Sequence, residues 1–343
     1  MKREIRLPLT AQGRLDRALA DALGVGRAAV KQAFAAGEVR MHGRRARAAD
    51  GATPGALVEL ELELPAGPPL PDPGLPLRTL AEGPGWLVAD KPAGIATHPL
   101  RGGETGTLAN AVVARHPECA EASPDPRDGG ALQRLDVETS GCVLFARDRA
   151  AWEVLRAQLS ARTVEKGYLA LVAGRLASGG VCSVPLAQRG GRVVAVPDPD
   201  RPPRTTGSPR QAETRFEVRR AYAEHTLVEV RIVTGVMHQI RAHLAFLGHP
   251  VVGDLLYGGA AATVPGLAPQ GAPDREGGSA ALIGLAPQGA PDRESGSAAL
   301  TGLDRQFLHA TVLGFERPEG GRVRVESPLP PELDALLARL AST

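Results

Sequence analysis

One aspartate stands out by its neighbours. Asp136 lies within Gln133-Arg134-Leu135-Asp136-Val137-Glu138-Thr139-Ser140-Gly141, an acid set between a cation, an apolar residue and a small-residue turn. An ionised carboxylate in such a setting can serve as nucleophile or base. A glycosidase would want a second acid in a matching position, and Glu138, the nearby carboxylate, falls on the strand side and makes a poor partner. His238, His243 and His249 with Asp254 suggest a metal, but His238 and His243 are five residues apart and share no helix face, so no metal is expected. Cys119, Cys142 and Cys182 are scattered and lack CxxC spacing, which points to reduced thiols, with Cys142 in the core.

The elements around these residues follow from pattern. Asp136 comes after a Gly- and Pro-rich stretch, 123–130, and before the apolar run Cys142-Val143-Leu144-Phe145-Ala146, which reads as a buried strand. The acid therefore sits on a loop entering a sheet, a common place for a reactive group. Arg241 falls on an expected helix, 238–247, beside a stripe of Ile240, His243, Leu244 and Leu247 that turns its fork toward the sheet. Tyr168 starts the run Leu169-Ala170-Leu171-Val172, and on sequence alone a tyrosine there reads as core. Val228, Val230 and Ile232 alternate with Glu229 and Arg231 as a strand with one wet face. Trp152, Leu155 and Leu159 after Asp148 mark a helix, as do Leu333, Leu336, Leu337 and Leu340 after Pro331. The pattern is that of a mixed α+β domain richer in strands than in helices.

Segment 133–141 closely resembles the HRLDxxTSG signature of the RluA family of RNA pseudouridine synthases, with Gln133 where the family usually has His. Lys166-Gly167-Tyr168-Leu169-Ala170 resembles the family's second motif, and 234–244 its third. Lys91-Pro92-Ala93-Gly94 with His98-Pro99, segment 248–258 and Leu308-His309-Ala310 fall in the family's order. The resemblance implies a pseudouridine synthase fold with a mainly antiparallel mixed central sheet, flanking helices and a catalytic cleft across it. It implies Asp136 as the catalytic carboxylate, Arg241 as its partner and Tyr168 as the third member. The reaction breaks the N-glycosidic bond, turns the uracil over and joins C5 to the ribose, with no cofactor and no metal. Whether Asp136 attacks ribose, attacks the base or takes a ribose proton is left open. A carboxylate in a cleft closed over RNA loses hydration and needs a compensating cation, the part Arg241 would fill. A tyrosine face at 168 can replace the stacking that a flipped-out uracil loses. Arg134 is read as orienting the Asp136 loop or touching a phosphate, and His238 as a further RNA contact. Val236-Met237 stands where the family usually has Arg followed by Thr or Lys, a change that alters how RNA is held.

Charge is unevenly spread along the 343 residues. The first 50 carry eleven Lys and Arg against five Asp and Glu, so the remainder is net acidic within a total of +2. Two short helices around Arg14-Leu15-Asp16-Arg17-Ala18-Leu19 and 27–34, then strand and turn over 37–44, resemble the S4 RNA-binding module. Arg14, Arg27, Lys31, Arg40 and Arg44, extended by Arg45 and Arg47, are its expected RNA contacts. The expected layout is a small N-terminal S4-like α/β module over 1–64, a Pro-rich spacer over 65–76 and the catalytic domain over 77–343. Within the last, Gly266-Leu267-Ala268-Pro269-Gln270-Gly271 begins a segment that recurs from Gly284, a period of 18 residues, and 262–302 reads as a duplicated flexible insertion. The expected partner is RNA, 23S-type rRNA or else tRNA, acted on by a cytoplasmic monomer without membrane contact. Two other classes compete: a catalytically weak S4-type assembly protein, which need not retain Asp136 and Tyr168, and the carboxylate hydrolase considered above.

Overall fold

The computed structural model describes residues 2–7, 13–23, 27–61, 67–100, 104–198, 203–258 and 303–342. The 18-residue repeat and the expected insertion lie outside them. Among the described residues no helix is long and apolar enough to cross a membrane.

The N-terminal part is a small sheet carrying two helices. Strand β1 (Lys2–Arg6) is followed by helices α1 (Leu15–Leu23) and α2 (Arg27–Ala36), then β2 (Val39–Met41), β3 (Arg44–Arg45) and β4 (Leu57–Glu61), with strand order β1-β4-β2-β3. Helical spacing places Leu15 with Leu19, and Val30 with Ala33, on faces that join Val39, Val58 and Leu60 in one buried cluster. His42 and Gly43 both have positive φ, the condition for a type I′ turn, and so close the β2–β3 hairpin in two residues.

The Pro-rich stretch does not run free between the parts. Leu70 O accepts from Asn110 Nδ2 at 2.7 Å, Asp72 N donates to Asn110 O at 3.1 Å, and Asp72 Oδ2 accepts from Gly106 N at 3.3 Å. It carries no helix or strand, as its prolines require, and turns at 72–75, but segment 69–75 is docked on the body it was expected to tether.

That body is built on β5 (Arg78–Gly83), β6 (Trp86–Lys91), helix α3 (Leu108–Arg115), β7 (Ser140–Ala146), helix α4 (Arg149–Ala161), β8 (Glu165–Ala173) and β9 (Gly180–Cys182). A hairpin follows, β10 (Leu186–Arg189) and β11 (Arg192–Ala195), then β12 (Thr206–Arg210), β13 (Thr214–Ala221), β14 (His225–Ile232) and helix α5 (Gln239–Phe246). Strands β15 (Leu308–Glu316) and β16 (Arg322–Glu326) and helix α6 (Pro331–Ala341) complete it. A nine-stranded sheet runs β5-β6-β7-β15-β8-β14-β13-β9 with β16 on β15, and β10–β12 form a separate three-stranded sheet. Every pairing in the large sheet is antiparallel except β15 with β7. The architecture is the strand-rich α+β fold expected from sequence.

Every residue of β7 is buried, which is why its sequence is apolar without alternation. At its start Gly141 (φ 115°) faces the Ala310 backbone so closely that a Cβ there would collide with the Ala310 carbonyl. Asp148 caps α4 by accepting from Ala151 N at 2.8 Å, and α6 starts at Pro331, as their sequences indicated. Helix α5 matches the expected 238–247 to within a residue, although Leu247 is 39% exposed and lies off the apolar stripe.

Candidate active site

The site is assembled around one loop, 131–139, between α3 and β7. Each backbone carbonyl from Leu135 to Glu138 has a donor. Thr97 Oγ1 donates to Leu135 O at 3.2 Å and Thr139 N to Asp136 O at 3.0 Å. Lys91 Nζ and Gly94 N both donate to Val137 O, each at 2.9 Å, and Arg305 Nη1 to Glu138 O at 3.1 Å. The buried Lys91 gives its other two protons to Pro92 O at 2.9 Å and Ile95 O at 2.7 Å. Burial pushes it down to about 7, yet three carbonyls around one Nζ consume all three protons of an ammonium, which a neutral amine could not supply. Lys91-Pro92-Ala93-Gly94 is thus a clamp for the loop that presents Asp136.

Arg241 stands in the first turn of α5 and is 92% buried. Its Nη1 donates to Asp136 Oδ2 at 2.7 Å, while Nε and Nη2 donate to Asp254 Oδ2 and Oδ1 at 2.6 and 2.9 Å. Burial alone would lower its pKa, but the bonds to Asp254 and then Asp136 outweigh it and hold the guanidinium charged. Asp254 is fully buried and also accepts from Leu256 N and Tyr257 N at 3.1 and 3.2 Å. The Tyr257 ring lies 5.2 Å from Arg241 Cζ. Asp254 was weighed in the sequence as a metal ligand only. The signal that could have found it is that a bidentate fork buried beside one carboxylate has donors left for a second. Among the described residues no three His, Cys, Asp or Glu side chains form a metal-binding group.

Tyr168 is buried on β8, and burial followed by the Asp136 charge pushes its phenol above its ordinary value, so it is neutral near pH 7. His238, the left-handed residue (φ 53°) before α5, places Nε2 3.9 Å from Asp136 Oδ1 and Nδ1 3.2 Å from Tyr257 Oη. Tyr257 Oη spends its own proton on Val193 O at 3.0 Å, so the imidazole Nδ1 must be the donor to it. By contrast His243 is a core histidine, bonded to Thr214 Oγ1 at 2.8 Å and Val184 O at 2.9 Å.

Asp136, Tyr168, His238 and Arg241 line one cleft of about 1000 Å³. Arg134, Arg156, Arg162, Lys166 and Arg210 line it too, and no described carboxylate forms a salt bridge with any of them. Some surface arginines elsewhere are paired, as Arg147 is with Glu118, Arg149 with Glu153 and Arg231 with Glu229. The buried side-chain atoms without a hydrogen-bond partner among the described residues, His98 Nδ1, Gln133 Oε1 and Trp152 Nε1, also belong to residues of this wall. A cleft lined by these cations and unsatisfied polar atoms beside Asp136, with Asp125, Asp128 and Glu138 also on its lining, suits a polyanion presenting a single reactive group.

Similarity to known proteins decides the family. Residues 85–246 match the family model described as RNA pseudouridylate synthase. The chain is 35% identical to "Ribosomal large subunit pseudouridine synthase D" of Xanthomonas campestris pv. campestris, over 98% of this chain and 92% of that one. The chain belongs to the RNA pseudouridine synthases. These are isomerases that convert uridine to pseudouridine in RNA. The synthase D of Pseudomonas aeruginosa is 32% identical over 89% of this chain and 84% of its own, and an RNA pseudouridine synthase of Chloroflexus aurantiacus 33% over 97% and 92%. Human RNA Pseudouridylate Synthase Domain Containing 4 shares the fold, with a TM-score of 0.52 at 22% identity over 77% of this chain and 92% of that one.

The pseudouridine synthase cleft gathers Asp136, Tyr168, Arg241, Arg134 and His238. The other expected RNA contacts lie on the N-terminal sheet and helices. Lys31, Arg40 and Arg44 are exposed there, whereas Arg14 is held by the buried Asp16 at 3.0 Å. Arg27 opens α2, and its side chain is outside the described residues. Arg40 and Arg45 face each other across the β2–β3 hairpin, a like-charge pairing that disfavours the hairpin and favours an anionic ligand. Arg156, Arg162 and Arg210 were missed, because cations on α4, at its C-cap and on β12 share no sequence signature and meet only in the fold, while Lys166 was named as part of the second motif and not as a contact.

Proposed function

We propose that this pseudouridine synthase isomerises uridine in large-subunit ribosomal RNA, with Asp136 as the catalytic carboxylate. The observation that carries the reading is the 2.7 Å bond from Arg241 Nη1 to Asp136 Oδ2 at the floor of a cleft rimmed by cations that no described carboxylate pairs. Arg241 holds the acid aimed and sets a cation against its charge while RNA displaces water. Tyr168, neutral and on the same wall, offers a face to the extruded uracil, and Arg134 meets the backbone. The exposed cations Lys31, Arg40 and Arg44 make the N-terminal part an S4-like RNA grip that adds avidity to the cleft. The ribosomal substrate is supported by the names of the bacterial relatives, and a cytoplasmic place of work follows from it. No step of the isomerisation needs a cofactor.

The test is tritium release from uridine labelled at C5 in total rRNA and in total tRNA, comparing the native protein with Asp136→Asn. Release from rRNA that requires Asp136 is expected, with RNA affinity kept within about tenfold because phosphate contacts dominate binding. Release from tRNA alone would overturn the ribosomal assignment. Release unaffected by the substitution would remove Asp136 from the chemistry.

A further inference from the structure

Helix α4 ends on a residue that its backbone does not favour. Arg162 is the C-cap, with φ 61° and ψ 30°, and its N–H closes the helix on Gln158 O and Leu159 O. Glycine is the usual occupant of such a left-handed cap. An arginine held there is strained, and its exposed side chain lines the catalytic cleft without a described carboxylate partner. Four residues on, Lys166 also lines the cleft. Its ammonium has three protons to give, and Thr234 O at 3.2 Å is the acceptor the structure shows. The space beside it is open: a Cβ at Gly235 would meet nothing within 4 Å except Lys166 Nζ, at 3.8 Å. Burial, and then the charge of Arg162, lower the Lys166 pKa to about 8, and no carboxylate opposes them. Two cations gathered in a cleft with no anion between them leave a place for one.

We propose that Arg162 and Lys166 together seat one RNA phosphate, the phosphodiester adjoining the uridine that faces Tyr168. The assignment rests on the pseudouridine synthase reading of the cleft. Position follows from the strand: Lys166 and Tyr168 are two residues apart on β8 and point to the same face, about 7 Å apart along it. That is the reach between a nucleotide's phosphate and its own base. The Arg162 fork suits two phosphate oxygens, and Lys166 supplies a point charge.

The test reads the salt dependence of binding for a short fluorescent single-stranded oligouridine, with Arg162→Gly, Lys166→Gln and the double variant. Arg162→Gly also controls for folding, because glycine suits the left-handed cap, and its thermal midpoint should equal or exceed the native one. Each single variant should weaken binding at fixed salt. The double variant should lower the slope of log K against log salt by about 0.7, the value for one neutralised single-strand phosphate. A native slope in the double variant overturns the seat, and so does a decrease of about 1.4, which means two separate phosphates. Tritium release by the native protein, run on the same preparation, separates the two claims. No release with a reduced slope would sink the isomerase reading while leaving the phosphate seat, and release with a native slope would sink the seat alone.

Discussion

Arg241 is shared between two carboxylates that lie 118 residues apart in sequence, Nη1 on Asp136 and the Nε–Nη2 edge on the fully buried Asp254. The division of labour is unequal. Asp254 takes the bidentate edge and two backbone N–H groups, so it fixes the fork, while Asp136 receives one bond and keeps a second oxygen for substrate. Replacing Asp254 by Asn keeps the shape but removes the charge that anchors the guanidinium. The expected result is a fall in kcat on the order of a hundredfold with RNA affinity retained, since a misaimed reactive group costs rate and not binding. Breaking a buried ion pair should also lower stability by about 3–5 kcal/mol. Single-turnover tritium release and urea unfolding on one preparation read both, and a variant with native kcat would show that Asp254 does not position Arg241 for the reaction.

The clamp at Lys91 makes a separate demand. Lys91→Met keeps the length of the stem, strands the carbonyls of Pro92 and Ile95, and leaves Val137 O, beside Asp136, with Gly94 N as its remaining donor. An unmet buried acceptor costs about 1–3 kcal/mol, so for two of them a loss of at least about 2 kcal/mol in unfolding free energy is expected. Turnover should fall with it, because the peptide after Asp136 is then held by Gly94 N alone. Native stability in this variant would mean that water can replace the ammonium there.

Much of this architecture was legible in the sequence, and the reason lies in period and punctuation. The apolar run of β7, the Asp148 cap and the Pro331 start each state a local rule that the fold obeys. Asp136, Tyr168 and Arg241 were legible for another reason, since their motifs resemble a family's. The role of Asp254 and the cleft cations Arg156, Arg162 and Arg210 were not, because their meaning arises only when α4, α5, β12 and the turn after Val252 are brought together. The Pro-rich stretch shows the converse: composition kept helix and strand out of it, but did not tell that Asn110 and Gly106 would bind it.

Histidines set the acid limit of stability. Burial lowers the pKa of His98 to about 4 and also lowers those of His225, His238, His243 and His309. A lowered histidine binds its proton more weakly folded than unfolded, so the stability it gives is present above about pH 6.5 and is lost as pH falls through the folded value. Asp128, raised to about 6 by burial and then by Asp125, works in the opposite direction between about pH 4 and 6 but is one group against five. The expected outcome is a falling thermal midpoint from pH 7 to pH 4, with His98 accounting for on the order of 2–3 kcal/mol. His98→Gln should flatten that decline in a series of melts, and a profile flat in the native protein would contradict the burial argument.

Where the N-terminal part is cut should decide what is learned from removing it. A truncation after residue 76 would strip Leu70 and Asp72 from Asn110 and Gly106 and so damage the catalytic body itself. A truncation of 1–66 leaves those bonds intact and removes the exposed Lys31, Arg40, Arg44 and Arg45. The shorter chain should bind rRNA more weakly and with a shallower salt slope, by about 0.7–0.9 for each phosphate that the removed cations had neutralised. Its kcat at saturating RNA should match the full chain, because every hydrogen bond shown around Asp136 comes from residues beyond 90. If turnover vanished at saturation while the melt stayed native, the N-terminal module would have to complete the active site and not merely hold the substrate to it.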